Sequence, residues 1–237
     1  IAANGAVTIA NDAVSLAKMD GLARGKIIYG DTSGNPAALA VGSANTVLQS
    51  DGTDASWATV ALDKLSDVKN GGTNFTNSLK IGNTTHGTLS SAARNIGIGD
   101  LSLNALTSGV DNICIGYKAG NLLTTAKSNV FIGSEAGSHL VAAEQGYNVA
   151  IGNNALRGVT GGDDPEGHYN VAIGGGALNT GTSGTTIANK NVAVGTSCME
   201  HASLTSANKN TCVGDGCGRD FRTGDLSVII GKDTDPS

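Results

Sequence analysis

The chain has 237 residues, of which 35 are glycine and only eight are aromatic (three Phe, four Tyr and one Trp), and its formal net charge is −5. A compact core is normally built from large side chains, each of which contributes about 1.5–3 kcal/mol when buried, so this composition favours a narrow, elongated core or an oligomer over a thick globule. The sequence has neither the Lys/Arg clustering of nucleic-acid-binding proteins nor an apolar run of ~20 residues, which argues against nucleic-acid partners and membrane insertion.

Residues 1–60 are predicted to form an N-terminal module of short strands. Turn-forming clusters occur at 33–36 (Ser-Gly-Asn-Pro) and at 51–54 (Asp-Gly-Thr-Asp). Trp57, the only tryptophan, is expected to close the end of a small apolar cluster. Residues 61–77, which include a Gly-Gly pair, are predicted to connect this module to the rest of the chain.

Residues 78–237 contain nine copies of a five-residue phrase that ends in glycine. The copies are SLKIG (78–82), NIGIG (95–99), NICIG (112–116), NVFIG (129–133), NVAIG (148–152), NVAIG (170–174), NVAVG (191–195), NTCVG (210–214) and SVIIG (227–231). The closing glycines are 17, 17, 17, 19, 22, 21, 19 and 17 residues apart. Repeats of about this length are typical of solenoids, in which each repeat adds one coil.

Each position of the phrase predicts a structural role. The second and fourth residues are mostly β-branched and lie on the same face of a short strand. The third residue faces the other way and is usually small, which suggests close approach by another sheet or another chain. Asn and Gly suit the two corners, because Asn tolerates left-handed backbone and Gly lacks a Cβ. The predicted rung residues are Asn95, Gly99, Asn112, Gly116, Asn129, Gly133, Asn148, Gly152, Asn170, Gly174, Asn191, Gly195, Asn210, Gly214 and Gly231.

A second, weaker echo follows each closing glycine after three residues, as in Ala155-Leu156 and Ala177-Leu178. This echo is predicted to be the second strand of each coil. All four cysteines occupy positions where other repeats have Ala, Ser or Gly, so they are expected to fill space as small apolar side chains. The fold class predicted from these patterns is all-β: an elongated parallel β-solenoid or β-roll, intertwined or side by side in a homotrimer.

The longest connection between repeats, residues 157–169, is the candidate receptor-contact loop. Insertions in solenoid repeats map to loops on one face, which is often the binding face. Its candidate contact residues are Arg157, Asp163, Asp164, Glu166, His168 and Tyr169. A solvated turn cluster is the alternative interpretation of the same residues. The loop lacks the alternating oxygen ligands of an EF-hand, so no metal is expected there.

No catalytic motif is expected in this chain. The sequence Asp31-Thr32-Ser33-Gly34 has one residue too many for the aspartic-protease signature, and the histidines show no metal-binding spacing. A glycan-cleaving enzyme needs two carboxylates about 5–10 Å apart across a groove. The acidic residues of the longest connection crowd into one loop instead, so the chain is predicted to be no enzyme and to use no cofactor.

Two resemblances follow from these motifs. The NVAIG rungs resemble the head repeats of trimeric autotransporter adhesins, whose coils form a left-handed parallel β-roll with three chains side by side. The N-terminal segments VSLAK (14–18), RGKIIYGD (24–31) and VLQSDGTDASW (47–57) are similar to those of tail fibres of marine and cyanobacterial phages. Such fibres often end in a self-cleaving chaperone that cuts after a serine, and Ser237 is hypothesised to be such an end.

These resemblances imply a structural fibre protein of a phage tail, located in the virion and outside the cell. Such a protein would form a rigid trimeric shaft and take part in host-surface attachment. Its expected partners are two further copies of itself, other tail or baseplate proteins, and a host cell-surface glycan or protein. A bacterial trimeric surface adhesin and a glycan-cleaving tail spike are the alternatives.

Overall fold

The computed structural model describes residues 25–33, 36–50, 52–59, 68–82, 86–140, 146–158, 167–180, 189–200, 208–219 and 224–234. The chain divides into two compact units, Ile1–Ala61 and Leu62–Ser237. Within the described residues every regular element is a β-strand, and no helix occurs. The strands are β1 (Ile27–Gly30), β2 (Pro36–Leu39), β3 (Thr46–Ser50), β4 (Ala55–Thr59), β5 (Val68–Asn70), β6 (Phe75–Thr76), β7 (Leu79–Ile81), β8 (Ala92–Ala93), β9 (Ile96–Ile98), β10 (Ile113–Ile115), β11 (Val130–Ile132), β12 (Val149–Ile151), β13 (Val171–Ile173), β14 (Val192–Val194), β15 (Thr211–Val213) and β16 (Val228–Ile230).

The first unit contains two antiparallel pairs, β1 with β2 and β3 with β4. The intervals between the strands of each pair, 31–35 and 51–54, contain most of the predicted turn clusters, although Pro36 begins β2. Trp57 is half-buried on β4, and its Nε1 donates a hydrogen bond to the carbonyl of Ala40 at 2.6 Å. Its ring lies against Gly42, where a Cβ would come within 2.7 Å of the indole carbons. The tryptophan therefore ties β4 to the segment that precedes β3.

The second unit is the predicted parallel β-solenoid. The strands β7 and β9 to β16 pair in parallel, in the order of the sequence, and each corresponds to one of the nine phrases. The register aligns identical positions of successive phrases, as in Ala150 opposite Ala172. At the N-terminal end, β5 pairs antiparallel with β7, so part of the segment predicted as a connector belongs to the same sheet.

The small third residues do not face another chain, which was one of the two expectations for them. The third residue of each phrase points into the coil's own interior, where Cys114, Ala150 and Ala193 are completely buried. Side chains of the opposite wall fill the rest of this narrow core, including Leu103 and Leu156. The small residues are therefore required by the width of a single coil, and they do not form a contact face for another chain.

The second echo forms turns and not the predicted second strand. The residues on either side of its small residue have left-handed backbone, as at Asn154 (φ 55°) and Leu156 (φ 50°). Successive coils are still joined there, since the N–H of Leu156 donates to the carbonyl of Ala177 at 2.8 Å. Alternating left-handed residues curl the chain back within a few residues, which an extended strand cannot do.

A buried ladder of asparagine side chains runs along one corner of the solenoid. Asn112 shows the pattern: its backbone N–H and its Nδ2 both donate to Oδ1 of Asn95, each at 3.0 Å. The same Nδ2 also donates to the carbonyl of Ala126 at 2.8 Å. The terminal copies are serines: Ser78 Oγ accepts from the N–H of Asn95 at 2.8 Å. The asparagines thus satisfy backbone groups that the corner would otherwise bury unpaired.

Candidate functional site

The outward face of the solenoid sheet is apolar along its whole length. We call the second and fourth residues of the nine phrases the outward stripes. Their members are Leu79, Ile81, Ile96, Ile98, Ile113, Ile115, Val130, Ile132, Val149, Ile151, Val171, Ile173, Val192, Val194, Thr211, Val213, Val228 and Ile230. Seventeen of these eighteen residues are Val, Ile or Leu, and β-branched residues with one preferred rotamer make the surface stiff.

The outward stripes remain accessible to solvent. Ile96, Ile132, Ile151 and Ile173 are each 37–38% exposed, although each is flanked by the same position of the neighbouring coils. At the C-terminal end, Val228 is 72% exposed. Contiguous exposed apolar surface of this kind marks an interaction site in soluble proteins.

A second surface is formed by the residue that precedes the first residue of each phrase, which we call the corner column. From the second coil onward its members are Arg94, Asp111, Ser128, Tyr147, Tyr169, Lys190, Lys209 and Leu226. All of them have left-handed backbone, with φ between 54° and 62°. This conformation turns each side chain outward at the same corner, so successive side chains stand roughly one strand spacing, ~4.8 Å, apart.

The centre of the corner column is aromatic and its C-terminal side is basic. The rings of Tyr147 and Tyr169 are stacked, with centroids 5.0 Å apart and planes inclined by 4°. Both tyrosines are about half exposed, at 48% and 53%. Lys190 Nζ lies 6.0 Å from the Tyr169 centroid, within cation–π range. Lys209 is exposed and forms no ion pair with any described residue.

On the N-terminal side of the corner column, the charges of Arg94 and Asp111 neutralise each other. Arg94 and Asp111 form a bidentate salt bridge, with Nε to Oδ1 at 2.6 Å and Nη2 to Oδ2 at 2.8 Å. This pair lowers the pKa of the Asp111 carboxyl and raises that of the Arg94 guanidinium, in each case mainly through the side-chain hydrogen bond. Ser128, whose side chain is small, separates the pair from Tyr147.

The predicted receptor-contact loop is divided among different surroundings. Tyr169 belongs to the corner column, and His168 lies beside it with Nδ1 accepting the N–H of Gly146 at 3.0 Å. Arg157 lies elsewhere, half-buried, with Nε 3.0 Å from Oε2 of Glu135 but outside hydrogen-bond geometry. The acidic candidates, Asp163, Asp164 and Glu166, lie outside the described residues.

Sequence reasoning found Tyr169 but missed Tyr147, Lys190 and Lys209. The available signal was their common position, one residue before each asparagine. That position was overlooked because its residues share no type, whereas the asparagines that follow do.

The described residues offer little for chemistry. All four cysteines are free and buried, in agreement with their predicted role as fillers, and burial raises the pKa of the Cys114 thiol. Among the residues with described positions, no group of three His, Cys, Asp or Glu could hold a metal ion. In the same part of the chain, no helix is long and apolar enough to cross a membrane.

Comparison of the chain with family models, with curated proteins and with solved structures gives no match. Its function must therefore be inferred from its own motifs and surfaces.

Proposed function

We propose that this chain is a structural fibre protein of a phage tail, which forms a rigid homotrimeric shaft and takes part in host-surface attachment. The observation that carries this proposal is the apolar outward face of the parallel sheet. Tail or baseplate proteins would hold one end of the shaft, and a host cell-surface glycan or protein would be contacted by its flanks or tip.

Parallel sheets are normally covered on both faces. Here the inner face is covered by the coil's own core, in which Ala150 and Ala172 are completely buried, while the outer face with Ile151 and Ile173 is not. Two identical parallel copies would cover this face along the full ladder, because every chain carries the same residues at the same heights. Three copies around one axis extend that burial to all chains and leave the corners free for other contacts.

The ladder itself supports a mechanical role. Each phrase adds one strand at ~4.8 Å, so nine phrases extend roughly 40 Å. The asparagine ladder and the backbone bonds between coils tie each repeat to its neighbours, which is how solenoids distribute load along one axis. A shaft needs this stiffness and no catalytic group.

A bacterial trimeric surface adhesin is the second candidate, because the same phrases resemble adhesin head repeats. The N-terminal resemblance to phage fibres, carried by residues 24–31 and 47–57, favours the fibre. A glycan-cleaving spike is the third candidate, and turnover of a host polysaccharide by the purified protein would favour it.

The first test is the mass of the native, unboiled protein by light scattering. The trimer predicts about three times the 23.5 kDa chain mass. The double variant Ile151→Lys/Ile173→Lys places two cations on the outward face and should give a folded monomer, as judged by circular dichroism. Asn153→Lys, at an exposed position just beyond β12, is the matched control and should remain trimeric. A wild-type monomer would overturn the proposal.

The attachment role needs a test in the particle. Antibodies against the chain should decorate the tail in electron micrographs and should reduce adsorption of the phage to its host. Detection of the chain on a bacterial surface, and in no virion, would favour the adhesin instead.

A further inference from the structure

The corner column contains a notch at Ser128, which belongs neither to the outward stripes nor to the predicted receptor-contact loop. Ser128 lies between the Arg94–Asp111 pair and Tyr147 in the column, so Ser128 forms the floor of the notch, and its walls are that pair and the face of the Tyr147 ring turned away from Tyr169. The other face of Tyr147 is already covered by Tyr169. The walls are two coil spacings apart, roughly 10 Å, which leaves room for one flat ring between them.

Three lysines lie near this notch. Lys127, two residues before the phrase of its coil, is exposed, and its Cγ would lie 3.3 Å from a Cβ on Gly146, so its stem runs beside the Tyr147 coil. Lys190 and Lys209 continue the column beyond Tyr169. None of the three lysines forms an ion pair with a described residue, although the chain as a whole has a net charge of −5. Among the described residues, these lysines therefore place positive charge beside the two tyrosines.

The arrangement suits one type of partner. The C–H groups on the face of a pyranose carry partial positive charge, which the negative face of an aromatic ring attracts. Ammonium groups attract carboxylates or sulfates on the same polymer. Since one side chain is presented per coil, the column forms a line parallel to the solenoid axis, which a linear polymer can follow.

We infer that the corner column from Ser128 to Lys209, together with the neighbouring Lys127, binds an acidic polysaccharide, with one sugar ring stacked on Tyr147 over Ser128. This inference rests on the proposed attachment function and names the class of host molecule that the shaft recognises. It places recognition on the flank of the ladder, at a corner built by left-handed residues, and not in the longest connection alone.

The test measures binding of the full-length native protein to immobilised polygalacturonate and dextran sulfate, with uncharged dextran and poly-glutamate as comparison polymers. Wild type should bind one or both acidic polysaccharides. Tyr147→Ala should weaken that binding by about tenfold or more, and Tyr147→Phe should retain most of it, because the ring face remains. Lys190→Gln/Lys209→Gln should weaken binding and reduce its dependence on salt concentration.

Tyr117→Ala is the matched control. Tyr117 is 44% exposed at another corner, and Lys118 Nζ lies 5.1 Å from its ring, but no aromatic ring of the described residues stacks on it. Its removal should change binding by less than about twofold. Equal losses for Tyr117→Ala and Tyr147→Ala would overturn the assignment of the site.

Three other outcomes would also overturn the inference. They are absence of binding to both acidic polysaccharides, equally tight binding to poly-glutamate (which would indicate charge attraction to an acidic peptide), and loss of the native oligomeric mass in Tyr147→Ala. A monomeric protein that binds polysaccharide through Tyr147 would instead refute the trimeric shaft and leave this inference standing, so the two proposals fail separately.

Discussion

The ring of Phe131 occupies the space that a Cβ on Gly137 would need. Phe131 is, with Lys80 and Ile229, one of three large side chains among the inward-facing third residues, and it is completely buried. Of the three coils with alanine at that position, two carry leucine at the place of Gly137 (Leu156 and Leu178) and the third carries Met199. Those leucines have φ of 50°, so the left-handed backbone alone does not require glycine there. The volume of Phe131 is what requires glycine at position 137.

This exchange of volumes predicts a compensating pair. Gly137→Leu should destabilise the protein by about 2–3 kcal/mol through overpacking, and Phe131→Ala by about 3–5 kcal/mol through the cavity it leaves. The double variant recreates the Ala–Leu pairing of the neighbouring coils and should recover most of either loss. Urea unfolding of the four proteins measures the coupling, and simple additivity would show that the two residues do not share one space.

Two adjacent glycines should respond very differently to alanine. Gly174 has φ of 132°, and a Cβ there would overlap the carbonyl oxygen of Gly195 in the next coil. Gly175 is not in the left-handed region, and the nearest atom to its Cβ would be 3.9 Å away. Gly174→Ala should cost at least about 3 kcal/mol, whereas Gly175→Ala should change stability by less than about 1 kcal/mol. Thermal unfolding of the pair is the measurement, and similar melting temperatures would contradict the close approach of the corners.

The asparagine ladder should be intolerant of a single-atom change. Asn112→Asp exchanges Nδ2 for an oxygen that would face the carbonyl of Ala126 and Oδ1 of Asn95, both acceptors. At pH 7 we expect the variant to lose several kcal/mol of folding stability, because the carboxylate oxygen in place of Nδ2 is buried and faces only acceptors.

The pH dependence of this variant follows from the same contacts. Burial without a donor raises the carboxyl pKa in the folded state, so the penalty grows as pH rises through the unfolded value of about 4. The stability gap to wild type should therefore narrow at pH 4. Asn153→Asp, at an exposed position, is the control and should show no such gap.

Lys80 should make stability depend on pH in the alkaline range. It occupies the inward position of the first phrase, is 1% exposed, and its Nζ lies 3.5 Å from the carbonyl of Leu103. Burial lowers its pKa to about 8, against a smaller opposing effect of the Asp100 charge. In the unfolded chain the pKa is about 10.4, so the unfolded state binds more protons between these values and stability rises with pH across that window.

The matching variant is Lys80→Met, which keeps the length and removes the charge. At pH 7 it should be more stable than wild type by roughly 1–2 kcal/mol, which is less than the full effect of the pKa shift because the variant also loses the hydrogen bond to the carbonyl of Leu103. The difference should shrink as pH approaches 10.5. Melting temperatures from pH 7 to 10.5 test this, with Lys118→Met as the partly exposed control, and a pH-independent difference would contradict it.

The fold was largely predictable because short local motifs specify each strand and corner of the ladder. Every predicted phrase is a strand in the parallel sheet, since β-branched alternation, asparagine and glycine each favour one backbone region at one position. The candidate site was predicted less well. Tyr169 was identified within the longest connection, but its partner Tyr147 is 22 residues away and in no shared motif.

The sequence by itself determined the strands, their register and the two kinds of corner, because these depend on the backbone preferences of single residues. Only the tertiary structure decided which face is inside. Alternation along Val149, Ala150 and Ile151 is compatible with either face, and the choice depends on the width of the coil. The left-handed turns around Leu156 make each coil narrow, so the mostly small third residues face inward and the β-branched stripes face out. A large inward residue such as Phe131 needs glycine in the facing turn. The same coil closure brings Tyr147 over Tyr169, because the strands on either side pair in register although the repeats differ in length.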